Sequence, residues 1–463
     1  MTESDTGPSG RGYRRAILVV HGMGEQRPLD TLDRLAHAVL SEYDEDHRQY
    51  LSRPTLIGDS YEARRYIIPG IYDDPVHARP QTDLFEYHWS PLMTGNRLDD
   101  LIGTLRRILL QWPWRVPAGI RALWLVMWAL IVTVAIILVR RAAEGGISAT
   151  DVVTVIAGTG ILGTIVSFAV TRLLPRPLTG SFVDVVRYLD PSPRSHVVRR
   201  DIRRGAVAML RELNDEYDRV IVVAHSLGSY IAYDAIRQLW GERDDDYAGD
   251  PPPSDGMPVV ADGLDQAEAA SIPLRGDGSP PSDDDLDAFR SAQRQLSAGL
   301  RDDGHTWRIS DLVTLGSPMY FADQLYTRDR AGFDRKVTHH EFPTCPPVDD
   351  YPSWQQRAGA ATEPDRARRW TYVRGGRRVL YDAAPFAVVR WTNMWFPARL
   401  YVFGDFFGGA LAPLFGRGIK DVRITSGGPR RLVPGAAHSF YFELIRDEPN
   451  EQLARAFHEA LRL

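Results

Sequence analysis

The sequence predicts an α/β fold, a mainly parallel sheet flanked by helices, and three stretches carry that prediction. Arg219–Ile231, RVIVVAHSLGSYI, passes from the buried-strand pattern of Val220–Val223 through a turn of small residues into a helix marked by Ala232, Ile236 and Leu239. Ala16–Val20 is a second apolar run; it enters HGMGEQRP directly and is followed by Leu29, Leu32, Leu35, Val39 and Leu40 at helical spacing. Ile309–Leu315 reads as a further strand, ending at Gly316. Strand, turn and helix in that order are the ingredients of a parallel sheet.

A chain of 463 residues has room for a large core. Its net charge of -5 is small and its basic residues form no tract, which argues against nucleic acid as a partner. Cys345 is the only cysteine, so neither an intrachain disulfide nor a zinc site of several thiolates can form, and a reducing compartment fits. Residues 1–12 are polar and read as a disordered leader, and Ala16–Val20 is too short for the apolar core of a signal peptide.

After the first strand and helix, Arg64–Ile68 and Asp83–Trp89 read as further strands. The character then changes. Ala122–Val139 is an uncharged apolar run between Arg121 and Arg140, long enough to cross a bilayer, and Val152–Thr171 is a second. Residues 118–174 are therefore expected to form a transmembrane helical hairpin, with Trp112, Trp114 and Trp124 at its entry end as an interfacial belt. Arg106, Arg107, Arg115 and Arg121 precede it and Arg172, Arg176 and Arg187 follow it, whereas Glu144 and Asp151 share the connecting loop with two arginines. The positive-inside rule then places both flanks in the cytoplasm, at the plasma (inner) membrane. The strands on either side of the hairpin can so join one sheet, giving a discontinuous domain of residues 13–110 and 179–463.

His196–Asn214 shows the next helical face, with Val198, Ile202, Ala206, Met209 and Leu213. Residues 241–304, rich in Asp, Pro, Gly and Ser, read as an acidic low-complexity insertion and a solvated loop, with a possible helix at Asp285–Leu300. Ser317, followed by a proline and lacking a strand-to-helix frame, reads as structural. His339, His340, Glu341 and Cys345 could suggest a metal, but adjacent histidines diverge on a regular element, so no metal is expected there. Residues 346–385 read as loop and Phe386–Thr392 as a strand.

The turn around Ser226 has the chemistry of a nucleophile. Ala224, Ser226 and Gly228 occupy the GxSxG positions of a sharp elbow, with alanine in place of the first glycine. Gly22 and Gly24 allow the HG loop to bring backbone amides close to a ligand. A serine nucleophile needs a histidine to take its proton and a carboxylate to orient that histidine, in the chain order Ser, acid, His. No carboxylate lies between Ala383 and Gly404, so Asp405 is the first acid after the Phe386 strand and the choice for the role; Asp421 and Asp382 lie at strand starts, the wrong end. His438, in GAAHSFYF, follows the last strand and is the choice for the base. His225 is held in the elbow, and His458 reads as a surface histidine of a terminal helix.

With AHSLGS, the HGMG loop and an ordered Asp and His, the chain resembles the α/β-hydrolase superfamily, particularly its lipase and esterase branch. The resemblance covers about 13–110 and 179–463 without the acidic insertion. It implies attack by Ser226 on an ester carbonyl, His438 as base and then acid, Asp405 orienting it, and an oxyanion hole from the amides of Gly22, Met23 and Leu227. It implies no cofactor. The density of Trp, Phe, Leu and Tyr over Met394–Phe415, beside the membrane hairpin, points to a lipid or long acyl ester as substrate. Acyl transfer by the same triad, or a silent hydrolase fold serving as a membrane scaffold, are the competing expectations.

Overall fold

The computed structural model describes residues 13–22, 29–93, 193–249, 258–275, 281–349, 370–397, 404–425, 436–446 and 451–462, with short breaks at 44, 58–63, 73–77, 328, 375–376, 406 and 440, together with Tyr188 and scattered positions between 124 and 143. The fold is α/β, built on one eight-stranded, mostly parallel sheet. In chain order its strands are β1 (Arg14–Val20), β2 (Leu51–Pro54), β3 (Arg64–Ile68), β4 (Gln81–Tyr87), β5 (Arg219–His225), β6 (Ile309–Leu315), β9 (Arg390–Trp395) and β10 (Lys420–Arg423). A separate two-stranded hairpin supplies β7 (Thr371–Arg374) and β8 (Arg377–Leu380). The spatial order is β10-β9-β6-β5-β1-β4-β3-β2; the six strands from β10 to β4 in that order run parallel, while β3 pairs antiparallel with β4 and β2 antiparallel with β3 at one edge.

The strands at the centre are apolar on both faces because helices cover both. Ile17, Val19, Ile221, Val223, Val313 and Leu315 face one layer, made by α1 (Asp30–Leu40), α6 (Tyr441–Arg446) and α7 (Glu451–Leu461). Leu18, Val20, Val220, Val222 and Leu312 face the other, made by α2 (Pro193–Glu216), α3 (Gly228–Gly249), α4 (Pro258–Arg275) and α5 (Asp283–Asp302). The register Ile17↔Ile221 and Val19↔Val223 puts these side chains side by side, so each layer has a continuous apolar floor. Loops at the C-terminal ends of β1, β5, β6 and β9 consequently gather at one edge, where ligands bind in open α/β sheets.

Several expectations are corrected. Residues 241–304 carry ordered helices: α3 runs on to Gly249, α4 follows, and α5 begins at a capping box between Ser282 and Asp285 and buries Phe289, Ala292, Leu296 and Leu300. Composition hid this because the apolar residues are diluted among acids that sit on the outer face or cap the helix. The strand expected over Phe386–Thr392 lies later, at Arg390–Trp395, because Pro385 opens a buried turn of 3-10 helix. The β7–β8 hairpin falls inside a region expected to be loop. His458 is buried, with Nε2 3.0 Å from the Ala38 carbonyl on α1. Among the described residues no helix is long and apolar enough to cross a membrane. The expected second span lies outside them, as does much of the first and the leader.

Candidate active site

Ser226 sits directly beyond β5 with φ 52°, a left-handed conformation that costs a side-chain-bearing residue roughly 1–3 kcal/mol and persists only where its surroundings enforce it. Two contacts do so. The Ser226 N–H donates to the Leu315 carbonyl at 3.0 Å, tying the turn to the end of β6. A Cβ on Gly228 would stand 2.2 Å from the Val20 carbonyl oxygen and 2.7 Å from that of His21, so α3 can start this close to β1 only with glycine there. The other small position is less demanding. Ala224 still lies in β5, between Val20 and Thr314, and its methyl is buried without glycine being needed.

His438 stands on a single helical turn, Ala436–Ser439, and its ring bridges the two partners expected of it. The Ser226 hydroxyl donates to His438 Nε2 at 2.8 Å, and His438 Nδ1–H donates to Asp405 Oδ1 at 3.0 Å. Asp405 is completely buried. Its Oδ1 also accepts the amides of Phe407 at 2.9 Å and Gly408 at 3.0 Å, and its Oδ2 accepts the Tyr441 hydroxyl at 2.8 Å. Burial alone would raise its pKa, but His438, Tyr441 and the Gly408 amide hold it below the ordinary carboxylate value. Space for the carboxylate is made by two glycines. A Cβ on Gly316 would lie 2.6 Å from Oδ2 and one on Gly408 2.7 Å from it, and Gly316 has φ 55°.

The rival groups are engaged elsewhere. Asp421 accepts the amides of Leu411 and Ala412 and the Asn393 side chain, anchoring the turn before β10. Ser317 Oγ accepts the Met319 amide and caps a 3-10 turn. His225 does not reach the serine: its Nε2–H donates to the His438 carbonyl at 2.6 Å, and burial, followed by the neighbouring His438, pushes its pKa down to about 3. His340 stacks on Tyr381.

Of the amides expected to face the substrate, that of Leu227 meets no backbone acceptor among the described residues. Gly22 lies against the elbow: a Cβ there would be 2.6 Å from His225 Nδ1 and 3.1 Å from the Ser226 Cβ. Met23 falls outside the described residues. Tyr441, His225, Gly316 and Gly408 were not singled out for these roles from the sequence, since their significance depends on contacts between distant segments. One further donor group converges near the HG loop, where ligand atoms of His21, Glu86 and His88 lie within 4.8 Å of one another. No family model matches the sequence, and no curated protein or solved structure matches it either.

Proposed function

We propose that this chain is a serine hydrolase of the α/β-hydrolase kind, lipase- or esterase-like, that cleaves carboxylic esters through an acyl-enzyme on Ser226. The observation that carries the reading is the unbroken hydrogen-bonded series from Asp405 through His438 to Ser226. In the proposed reaction His438 Nε2 takes the Ser226 proton as Oγ attacks the ester carbonyl. The collapsing tetrahedral intermediate expels the alcohol, which takes that proton from the imidazolium. Water then repeats the sequence on the acyl-enzyme, releasing the acid and restoring the serine. Asp405 holds the imidazole in the tautomer with its lone pair on Nε2 and stabilises the imidazolium. The amides of Leu227 and of the loop at Gly22 and Met23 are the proposed oxyanion donors.

The proposed substrate is a lipid or long acyl ester, and the proposed setting is the cytoplasmic face of the inner membrane, held by the hairpin of residues 118–174. Apolar surroundings support the substrate class: the Phe407 ring lies 4.9 Å from that of His438, and Phe396 packs on Tyr441. Labelling of the purified chain by a fluorophosphonate tests the nucleophile. Wild type is expected to label and Ser226→Ala and His438→Ala to fail; equal labelling of Ser226→Ala would overturn the assignment. A preference for acetyl over long acyl esters would overturn the substrate class.

A further inference from the structure

Parallel pairing of β1 with β4 sets Val19 opposite Glu86 and Val20 opposite Tyr87, so the next residues along, His21 and His88, emerge side by side. His88 follows β4 directly, two residues after Glu86, and His21 follows β1 directly, two residues after Val19, so the four alternate onto one side at the strand ends. His21 is 1% exposed and its ring stacks on Trp89 at 5.0 Å and 11°. Its Nδ1 lies 2.7 Å from the Gly22 carbonyl. A carbonyl can only accept, so the proton is on Nδ1 and the lone pair is on Nε2. That buried Nε2 has no hydrogen-bond partner among the described residues. An orphaned buried polar atom costs about 1–3 kcal/mol, so the arrangement calls for something that accepts a lone pair. Glu86 repeats the pattern, since its Oε2 accepts the Leu29 amide at 3.1 Å while its buried Oε1 has no hydrogen-bond partner within bonding distance among the described residues.

We infer that His21, Glu86 and His88 form a binding site for one divalent transition-metal cation of the zinc class. Two neutral imidazoles and a carboxylate are a donor set for such an ion, with a fourth position left for water. The Nδ1–H bond to a backbone carbonyl is the support that fixes a ligating histidine in the right tautomer. The ion would join the end of β1 to the end of β4 and fix the HG loop at its root, one residue before Gly22.

The test uses the full chain, without an affinity tag and stripped with chelator, titrated with zinc and separately with cobalt(II). One equivalent of zinc is expected to bind, and cobalt(II) to give visible absorption bands of a four- or five-coordinate site with two exchangeable, paramagnetically shifted imidazole N–H signals. Glu86→Gln, which keeps an acceptor for Leu29, and His88→Gln are expected to weaken zinc binding at least tenfold with the circular dichroism spectrum retained, while His340→Gln leaves it unchanged. Absence of the cobalt signals in wild type overturns the site even if neither variant folds. Zinc affinity unaltered in the folded variants overturns it equally.

Discussion

The Tyr441 hydroxyl donates to Asp405 Oδ2 at 2.8 Å, the carboxylate oxygen that His438 leaves unused. The same phenolic oxygen accepts the Phe396 amide at 3.2 Å, so one side chain ties the acid to the end of β9. Tyr441→Phe removes a bond to a charged group worth about 1.5–3 kcal/mol and leaves the ring's packing in place. The proposed esterase activity is expected to fall about tenfold. The lowered Asp405 pKa contributes stability that is present above the unfolded-state value and lost as pH falls through the folded-state value. Without Tyr441 that folded-state value rises, so acid unfolding followed by tryptophan fluorescence is expected to begin at higher pH. An unshifted acid limb would remove Tyr441 from this role.

The left-handed Ser226 separates two substitutions that look equivalent. Ser226→Ala and Ser226→Gly both lack the proposed nucleophile and are expected to be inert to fluorophosphonate. Glycine relieves the φ 52° strain and alanine does not, so the glycine variant is expected to be more stable than the alanine variant by about 1 kcal/mol. Paired thermal melts measure the difference, and a more stable alanine variant would contradict the strained elbow.

Gly228 is limited by backbone on the opposing side. A methyl there would meet the carbonyls of Val20 and His21, which cannot rotate away, so β1 and α3 would have to separate. Gly228→Ala is expected to cost about 3 kcal/mol, at the upper end of overpacking effects, seen as a lowered urea midpoint and lost labelling. Ala224→Gly, on the other side of the serine, is expected to retain labelling.

Three adjacent strands are joined by a buried ion group in which Asp311 on β6 meets Arg219 on β5 at 2.8 Å and Arg390 on β9. Burial opposes its charge, but Arg390 and Arg219 hold the Asp311 pKa below its ordinary value. Asp311→Ala leaves two buried guanidiniums uncompensated, with an expected loss of about 3–5 kcal/mol in chemical denaturation. The pH dependence follows the depressed carboxylate: its contribution is full above the unfolded-state value and fades as pH falls through the folded-state one. A loss below 1 kcal/mol would mean that the strands hold their register without the group.

Local patterns marked the strands well where burial is two-sided, as in Ala16–Val20 and Val220–Val223, and located Ile309–Leu315 and Arg64–Ile68 although polar residues lie within them. They failed where a partner far along the chain decides the outcome. Arg390 opens β9 because Asp311 neutralises it, which no local window reveals. The terminal helix buries His458 because the Ala38 carbonyl meets its ring. In the candidate site, Ser226, Asp405 and His438 were legible from turn chemistry and chain order. The groups that hold them were not, since Gly316 matters only through its approach to a carboxylate carried by another loop. The His21, Glu86 and His88 grouping was invisible for the same reason, as it exists only once β1 and β4 are in register.

The His225 side chain binds the His438 carbonyl, and His225 is the residue next to Ser226. Along the covalent chain, serine and histidine are 212 residues apart. Through space, a single imidazole spans the separation. Their relative placement is thus insulated from the lengths of the intervening segments, and insertions, deletions or added helices between β5 and the final turn can accumulate without detuning the pair. A site wired in this way is free to acquire new peripheral parts.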